Sequence, residues 1–504
     1  MNPAEQPTPS PDASFDGGDL DCGGGLLLLI RRHIDPLPRG GLLEIRSTDA
    51  SVEEDLPAWC RLTGNELVAL RREGRQRSYL VCKGARSERA PALATQFRAT
   101  VAPSAPVPVK APGVRPAPAA GQVIGPLSVM GLGSWPRPRW MLQAMHERLE
   151  GRLSEADFQV TADDAVRLAI EAQLRAGVDV LTDGEQRRDS YASFVGARLD
   201  NCQLIPLTDL TAMVEDREKF ARELRALDVP AAEIRHPVVY GPLGRSRPLA
   251  AHEYEFARTL SDKPVKVALP GPYLLTRTMW LDCLTDRPYA TREDLAAAIV
   301  RVLREELHDL LAAGAALVQF DEPVLTEVVF GAARAQRSFM CGALGEKKPP
   351  GQELAFALEL LNSLVAEAPA ARVALHICRG NWTRDESAAL RGDYASLLDF
   401  LKAVRVGTLF LELCTPRAGE MELLRALPED RRVGVGVVNQ KHDRIESVEE
   451  IVVRARHAID LFGRERVLLT PDCGFATFAD NPVASAAVAE AKLKAIAQAR
   501  LALE

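Results

Sequence analysis

The sequence has no apolar run approaching the ~20 residues that a membrane-spanning helix needs. Its leucine run, LLLLI at 26–30, is five residues long. It has no excess of positive charge either. Sixty-two Lys and Arg against 69 Asp and Glu leave a net charge of −7, and the cations are scattered, which speaks against a nucleic-acid binder. The first residues, MNPAEQPTPSPDASFDGGDLD, lack both the basic and the apolar segment of a secretory signal. Cysteine is sparse and odd in number, nine in 504 residues. That excludes a disulfide-stapled secreted scaffold and fits a reducing, cytoplasmic setting where thiols are free, buried, catalytic or metal-bound.

What is present divides the chain. Residues 1–14 are rich in Pro and Ser and are expected to be disordered. Residues 86–122 include VAPSAPVPVKAPGVRPAPAAGQ at 101–122. Alternating Pro and Ala cannot hold a helix or a central strand, so this segment is expected to be an extended linker. It separates a small unit, 15–85, from a large one, 123–504. In the small unit the pattern is helix, glycine turn, strand LLEIRST, helix SVEEDLPAWCRLTG and hairpin ELVALRREGRQRSYLVCK, an α+β two-layer sandwich.

The large unit repeats one theme, a short apolar run ending in polar residues and followed by an amphipathic segment. The runs lie at 129–135, 178–185, 236–242, 265–272, 315–323, 372–380, 408–414, 432–439 and 466–473. Strand–helix alternation over such a length implies an α/β fold with a parallel sheet. About eight such units, with polar residues at the strand ends, point to a (β/α)8 TIM barrel with its active site at that end. An open doubly wound sheet is the alternative.

The strand ends carry the chemistry. His376 and Cys378 in VALHICRGNW are two apart and share a face in a strand. Glu412 ends LFLEL and Cys473 ends LLTPDC. Two thiolates, an imidazole and a carboxylate match zinc better than a hard cation or an iron–sulfur cluster. Zinc so held can take up an external thiol and make it a thiolate near neutral pH.

The stretches LHICRGNW, FLELCTPRAGE and LLTPDCGFATF resemble the zinc motifs of the cobalamin-independent methionine synthases. They are especially similar to the single-barrel relatives, including archaeal-type core synthases and epoxyalkane:coenzyme M transferase. The resemblance covers 123–504 and implies His376, Cys378, Glu412 and Cys473 as zinc ligands. GSWP at 133–136 resembles the family's amino-acid-binding turn, which gives Ser134 the substrate carboxylate. DGEQRR at 183–188 and FDEPVL at 320–325 resemble the acidic strand ends that hold a substrate amino group, which points to Glu185 and Asp321. VVNQKHDRIES at 437–447 aligns with a loop bearing a catalytic histidine. It offers His442 as proton donor or orienting group, with Lys441 nearer by spacing.

The resemblance implies a zinc-dependent methyltransferase of the 5-methyltetrahydropteroyltriglutamate–homocysteine type, making methionine. In PGPYLLTRTMW, Thr278 stands where the family stacks a Trp on the pterin, with Trp280 two later. The donor is therefore open between methylfolate and a methyl-corrinoid. The small unit resembles the TusA/SirA-like sulfur-carrier family. That resemblance implies Cys22 as a persulfide carrier at a helix N-terminus, where a thiolate is stabilised, although CGGG replaces the family's CPxP. Cys60 and Cys82 are expected to be packing residues. With Cys22 active, the alternative function is alkyl transfer to another thiol or persulfide, with sulfur delivered by the carrier domain and its relay partners. A non-catalytic sulfur-relay scaffold is the third reading.

Overall fold

The computed structural model describes residues 9–89, 106–109, 113–206, 209, 235–280, 288–330, 348–387 and 389–504. The small unit follows the order read from its sequence. Helix Leu27–Ile34 precedes strand β2 (Leu42–Ser47), and helix Val52–Thr63 precedes the hairpin β3 (Glu66–Glu73) and β4 (Gln76–Cys82). Helix Val52–Thr63 stops at Gly64, which takes the left-handed conformation (φ 70°) that a Cβ would disfavour. One strand escaped the sequence reading. Residues Ala13–Asp16 form β1, parallel to β2, giving a four-stranded sheet of order β1-β2-β4-β3. Ala13 and Ser14 were expected in the disordered terminus. A four-residue edge strand has too little periodicity of its own to be recognised and exists through its pairing with β2.

Among the described residues the large unit contains a six-stranded parallel sheet, in the order β12-β11-β10-β9-β8-β7. Its strands are β7 (Lys266–Pro270), β8 (Leu317–Asp321), β9 (Val373–Ile377), β10 (Thr408–Leu411), β11 (Arg432–Val438) and β12 (Val467–Pro471). Parallel neighbours need long crossovers, and helices supply them. Arg292–Ala313, between β7 and β8, starts at a Thr291/Asp294 capping box and ends at Gly314. The runs 129–135 and 178–185 make single parallel bridges rather than full strands. Val129 pairs with Leu469 of β12, Met130 with Val180, and Leu181 with Val265 beside β7. Backbone pairing thus passes from one edge of the sheet to the other through these two segments. Met130, Leu132, Val180, Leu317, Ala374, Phe410 and Leu468 form a separate buried cluster enclosed by these strands. Gly434 belongs to this packing, because a Cβ there would run into the Phe410 ring.

The run 236–242 is not a strand of the parallel sheet. It lies in β6 (Arg235–Gly244), antiparallel to β5 (Asp200–Pro206) in a two-stranded ribbon. An apolar β-rich run shows that a strand forms but not which partner it finds.

The two units touch. Arg31 pairs with Asp209 at 2.6 Å, and Gln203 donates to Asp35 at 2.8 Å. Arg32 stands 4.7 Å over the Tyr240 ring. The described part of the expected linker is strapped to the large unit. Val107 and Asn201 exchange two hydrogen bonds, at 2.7 and 3.0 Å, and Gln122 donates to the Asp262 carbonyl. Residues 1–8, 90–105 and 110–112, which the tail and linker assignments include, lie outside the described residues. Among the described residues no helix is long and apolar enough to cross a membrane.

Candidate metal centre and substrate pocket

Register builds the centre. Asp321, the last residue of β8, pairs with His376 of β9, so their side chains meet at the carboxyl end of the sheet. His376 Nδ1 lies 2.8 Å from Asp321 Oδ1. The Nδ1–H donates to the carboxylate, which leaves Nε2 with its lone pair outward. Nε2 is buried and has no partner in the protein. Cys378 follows β9 and Cys473 follows β12, and both are buried. The ligating atoms of His376, Cys378 and Cys473 all lie within 4.8 Å of one another. Ligands on a tetrahedral zinc stand about 3.5–4 Å apart. Two thiols and an unpartnered imidazole nitrogen therefore fit zinc with little movement.

The protonation states agree with a site that exchanges protons for metal. The Cys473 thiol donates a hydrogen bond to Cys378, which lowers Cys378 and raises Cys473. Burial pulls His376 down, but the hydrogen bond and charge of Asp321 more than offset it, so its pKa is raised. Metal binding displaces these protons.

Glu412 does not join this cluster. Its Oε1 is 2.7 Å from Arg417 Nη2, while its Oε2 accepts from the Arg379 N–H at 2.9 Å and from Asn381 Nδ2 at 2.5 Å. Residue type and strand-end position were read correctly; the competing donors from two neighbouring loops were not visible in sequence. Arg379, Asn381 and Arg417 thus order the loops around Glu412. Asp472 does similar work beside Cys473, accepting from the Leu413 and Cys414 N–H groups at 2.9 and 2.8 Å.

The metal-ligand cluster opens into a small cavity of about 30 Å³ lined by Ser134, Glu185, Asp321, Tyr191, Trp382 and Thr477 among others. All three expected substrate-binding residues are therefore here. Glu185 takes a positive φ of 54°, a strained conformation of the kind held at functional sites. Its Oε2 is buried without a partner. The pairing of Glu185 with its neighbouring arginines is weak and reaches only Oε1. Arg187 binds Asp163, and Arg188 binds Glu253 at 2.6 Å while standing 3.9 Å from Glu185. Burial pushes Glu185 up to about 7, with Arg188 opposing and Asp321 and Asp183 adding to the rise. Ser134 Oγ accepts from the Ala476 N–H at 3.3 Å, and Gly474 is needed because a Cβ would meet that oxygen. Asp321 is shared. Besides His376, its Oδ1 accepts from Gln319 Nε2 at 2.7 Å.

Sequence reasoning missed the support behind Asp321. Gln319 Oε1 accepts from Lys266 Nζ at 2.6 Å, and both residues are buried. Burial lowers Lys266 to about 7, with Asp321 and Glu185 opposing. The signal was available: Gln319 and Asp321 are two apart in β8 and so share its inner face. Glu322 of the same motif caps helix Pro272–Met279, accepting the Tyr273 and Leu274 N–H groups at 2.8 and 2.9 Å.

Two expectations are corrected. His442 is 55% exposed and pairs with Glu386 at 3.3 Å, outside the pocket. Lys441 is the buried member of the pair and feels Glu412, Cys473 and Cys378; burial and Arg417 lower it to about 8. The loop sets this. Asn439 accepts the Lys441 N–H and gives its own N–H to Glu446, which turns position 441 inward and 442 out. His442→Ala is expected to leave activity within about threefold, as a surface change does, whereas Lys441→Met lowers kcat; steady-state kinetics on both variants checks this. Cys22 sits in the core of the small unit, 4% exposed. Burial, then the charges of Asp55, Asp21 and Asp49, push its thiol up to about 12, the reverse of an activated thiolate. Cys22→Ser is expected to keep full methyl transfer, and the parent protein offered a persulfide donor is expected to carry no added sulfur on Cys22, measured by mass spectrometry. Thr278 and Trp280 are buried and do not line the cavity.

A parallel α/β sheet with a His/Cys/Cys centre at the carboxyl ends of its strands defines the class, a metal-site α/β enzyme. Residues 127–497 match the family described as cobalamin-independent synthase, catalytic domain. The chain belongs to this cobalamin-independent methionine synthase family, whose members are methyltransferases. It is 26% identical over 344 residues to a methionine synthase of Saccharolobus solfataricus, covering 68% of this chain and 86% of that one. A methionine synthase of Sulfurisphaera tokodaii is 27% identical, with 68% and 84% covered. Among solved structures, a B12-independent methionine synthase from Shewanella sp. W3-18-1, in complex with selenomethionine, superposes with a TM-score of 0.55. It is 22% identical and covers 75% of this chain and 98% of that one. A putative vitamin-B12-independent methionine synthase from Listeria monocytogenes gives 0.54 at 17% identity, with 76% and 99% covered. These two establish the fold.

Proposed function

We propose that the protein methylates the thiol of homocysteine to give methionine, at a zinc held by His376, Cys378 and Cys473. The observation that carries this is the shared cavity, which places an unpartnered imidazole nitrogen and two thiols beside Glu185 and Ser134. The family relatives named methionine synthase support the substrate. The bridges through 129–130 and 180–181 support reading the large unit as a closed (β/α)8 barrel with its site at the usual end. Glu412 is the proposed fourth donor, its Oε1 shared with Arg417. Zinc bound here supplies a Lewis acid that lowers the pKa of a thiol.

The chain's own residues hold the amino acid. Glu185 takes the ammonium group, and the Ser134 hydroxyl donates to the carboxylate. The sulfur forms its bond to the methyl carbon as the donor's bond to that carbon breaks. Methylfolate and a methyl-corrinoid are the two proposed donors. For the small unit we retain a TusA-like fold, supported by its element order, in a docking role. Cytoplasmic placement is proposed from the free thiols of the described cysteines.

Purified protein offered homocysteine with either donor should release methionine, detected by mass spectrometry. No methionine with either donor, alongside methylation of a different thiol, would overturn the assignment. Glu185 adds a pH test. Its pKa is raised, so the carboxylate that holds ammonium is present above about 7 and lost below it. The apparent affinity for homocysteine should rise with pH through that value. Glu185→Gln should remove this dependence and raise KM by about 10- to 100-fold, the worth of a hydrogen bond to a charged group.

A further inference from the structure

A second site lies away from the metal centre, in a cleft of about 810 Å³ between the two units. Eight arginines and lysines line it against three carboxylates, in a protein whose net charge is −7. The carboxylates are already taken. Asp35 is held by Arg31, Glu155 by Arg148 and Glu150 by Arg152. Four of the cations, Lys83, Arg198, Arg235 and Arg247, have no carboxylate partner among the described residues. Lys83 donates only to the carbonyls of Asp35 and Leu37, at 2.6 and 2.7 Å. Arg198 donates to the Pro248 carbonyl and Arg247 to that of Ala197, at 2.9 and 2.8 Å. Such bonds orient the side chains and leave their charges without a direct ion pair.

The charges also oppose one another. Burial lowers Arg198 and the nearby charge of Arg247 lowers it further, and the more distant Glu253, Glu155 and Glu306 do not offset them. Burial lowers Arg235 and Arg31 adds to this, and Asp35, Asp189 and Asp209 act against it without restoring the ordinary value. Half-buried cations with no carboxylate at ion-pair distance cost free energy that an anion in direct contact would relieve. A cleft lined by one sign of charge also concentrates ions of the other. Its volume falls in the range of small-molecule sites, ~300–1,000 Å³.

We propose that this cleft binds a small molecule carrying three or more anionic groups, phosphates or carboxylates, held by Lys83 of the small unit and by Arg198, Arg235 and Arg247 of the large one. Guanidinium forks suit both chemistries. The ligand clamps the two units together and plays no part in the metal site. The proposal stands or falls independently of the methyl-transfer reading, because its test needs no turnover.

The test titrates the full-length protein by calorimetry with inorganic tripolyphosphate and separately with citrate, at constant ionic strength. Saturable binding of one molecule per chain is expected, and whichever probe binds tighter assigns phosphate or carboxylate as the preferred group. Arg235→Gln/Arg247→Gln should weaken it at least tenfold. Arg247 is exposed and Arg247→Glu serves as the variant least able to disturb folding, with a loss at least as large. Arg405→Glu, the same two-unit charge change at another exposed position, should bind as the parent does. No saturable binding of either probe overturns the proposal, as does equal weakening in Arg405→Glu.

Discussion

Cys378→Ser is expected to fold like the parent protein, carry at most a trace of zinc and lose methyl transfer. The substitution is nearly isosteric at a position 5% exposed, so the β9 end keeps its path. What goes is one of two thiolate donors. A serine hydroxyl stays protonated and neutral where a cysteine ionises, and only the deprotonated group is a zinc ligand. Structural zinc sites gain about 10–16 kcal/mol from the whole ligand set, so losing a thiolate removes orders of magnitude in affinity. His376 and Cys473 remain, and Cys473 loses its sulfur hydrogen-bond partner. Elemental analysis with circular dichroism separates metal loss from unfolding, and Cys414→Ser provides the control. Cys414 lies outside the ligand cluster, with its thiol raised by burial, so that variant should keep its zinc. A stoichiometric zinc content in Cys378→Ser would sink the assignment of the centre.

The centre was legible in sequence because its parts are strand-end residues, and a strand end is marked by where an apolar run stops. His376, Cys378, Cys473 and Asp321 follow this rule at the ends of the parallel strands, and Ser134 and Glu185 follow it at the ends of the two bridging segments, so that all six line one cavity. What sequence does not contain is competition. Glu412 has the right type and place, but Arg417, Asn381 and the Arg379 N–H reach it first. His442 was chosen over Lys441 on chemical type. The hydrogen bonds of Asn439 and Glu446 decide which of two adjacent residues turns inward, and such loop geometry follows no period. The same limit applied to β6. Its run of apolar and β-branched residues was recognised, but its partner turned out to be β5, in an antiparallel ribbon. Cys22 shows the opposite error. A helix start was identified as an activating position, yet the side chain packs among Leu26, Ile30, Leu56 and Trp59, where desolvation outweighs the helix dipole.

Asp321→Asn tests which of two tasks this carboxylate performs. Its Oδ1 already accepts from His376 Nδ1 and Gln319 Nε2, and Gln319 is fixed in turn by Lys266. A chain of donors so arranged holds the imidazole with Nδ1 protonated and Nε2 turned to the thiols. The negative charge raises the basicity of the ring, as the raised pKa of His376 shows. Asparagine preserves the shape and can keep one bond, but it removes the charge. Losing such a partner of a metal-bound histidine typically costs about 10- to 100-fold in metal affinity, and zinc dissociation measured by competition with a chelator should show this. The second task, holding the substrate ammonium, predicts a different result: KM for homocysteine rises even when zinc is saturating. Glu185 has the unpartnered oxygen and Asp321 the two donors on Oδ1, so the expected outcome is weakened zinc with KM changed by less than threefold. Gln319→Leu separates the tasks further. It leaves the Asp321 charge in place and removes only the donor behind it, so zinc affinity should fall by less than in Asp321→Asn, with KM again unmoved. A rise in KM at saturating zinc in both variants would place Asp321 on the substrate and leave His376 oriented by its strand alone.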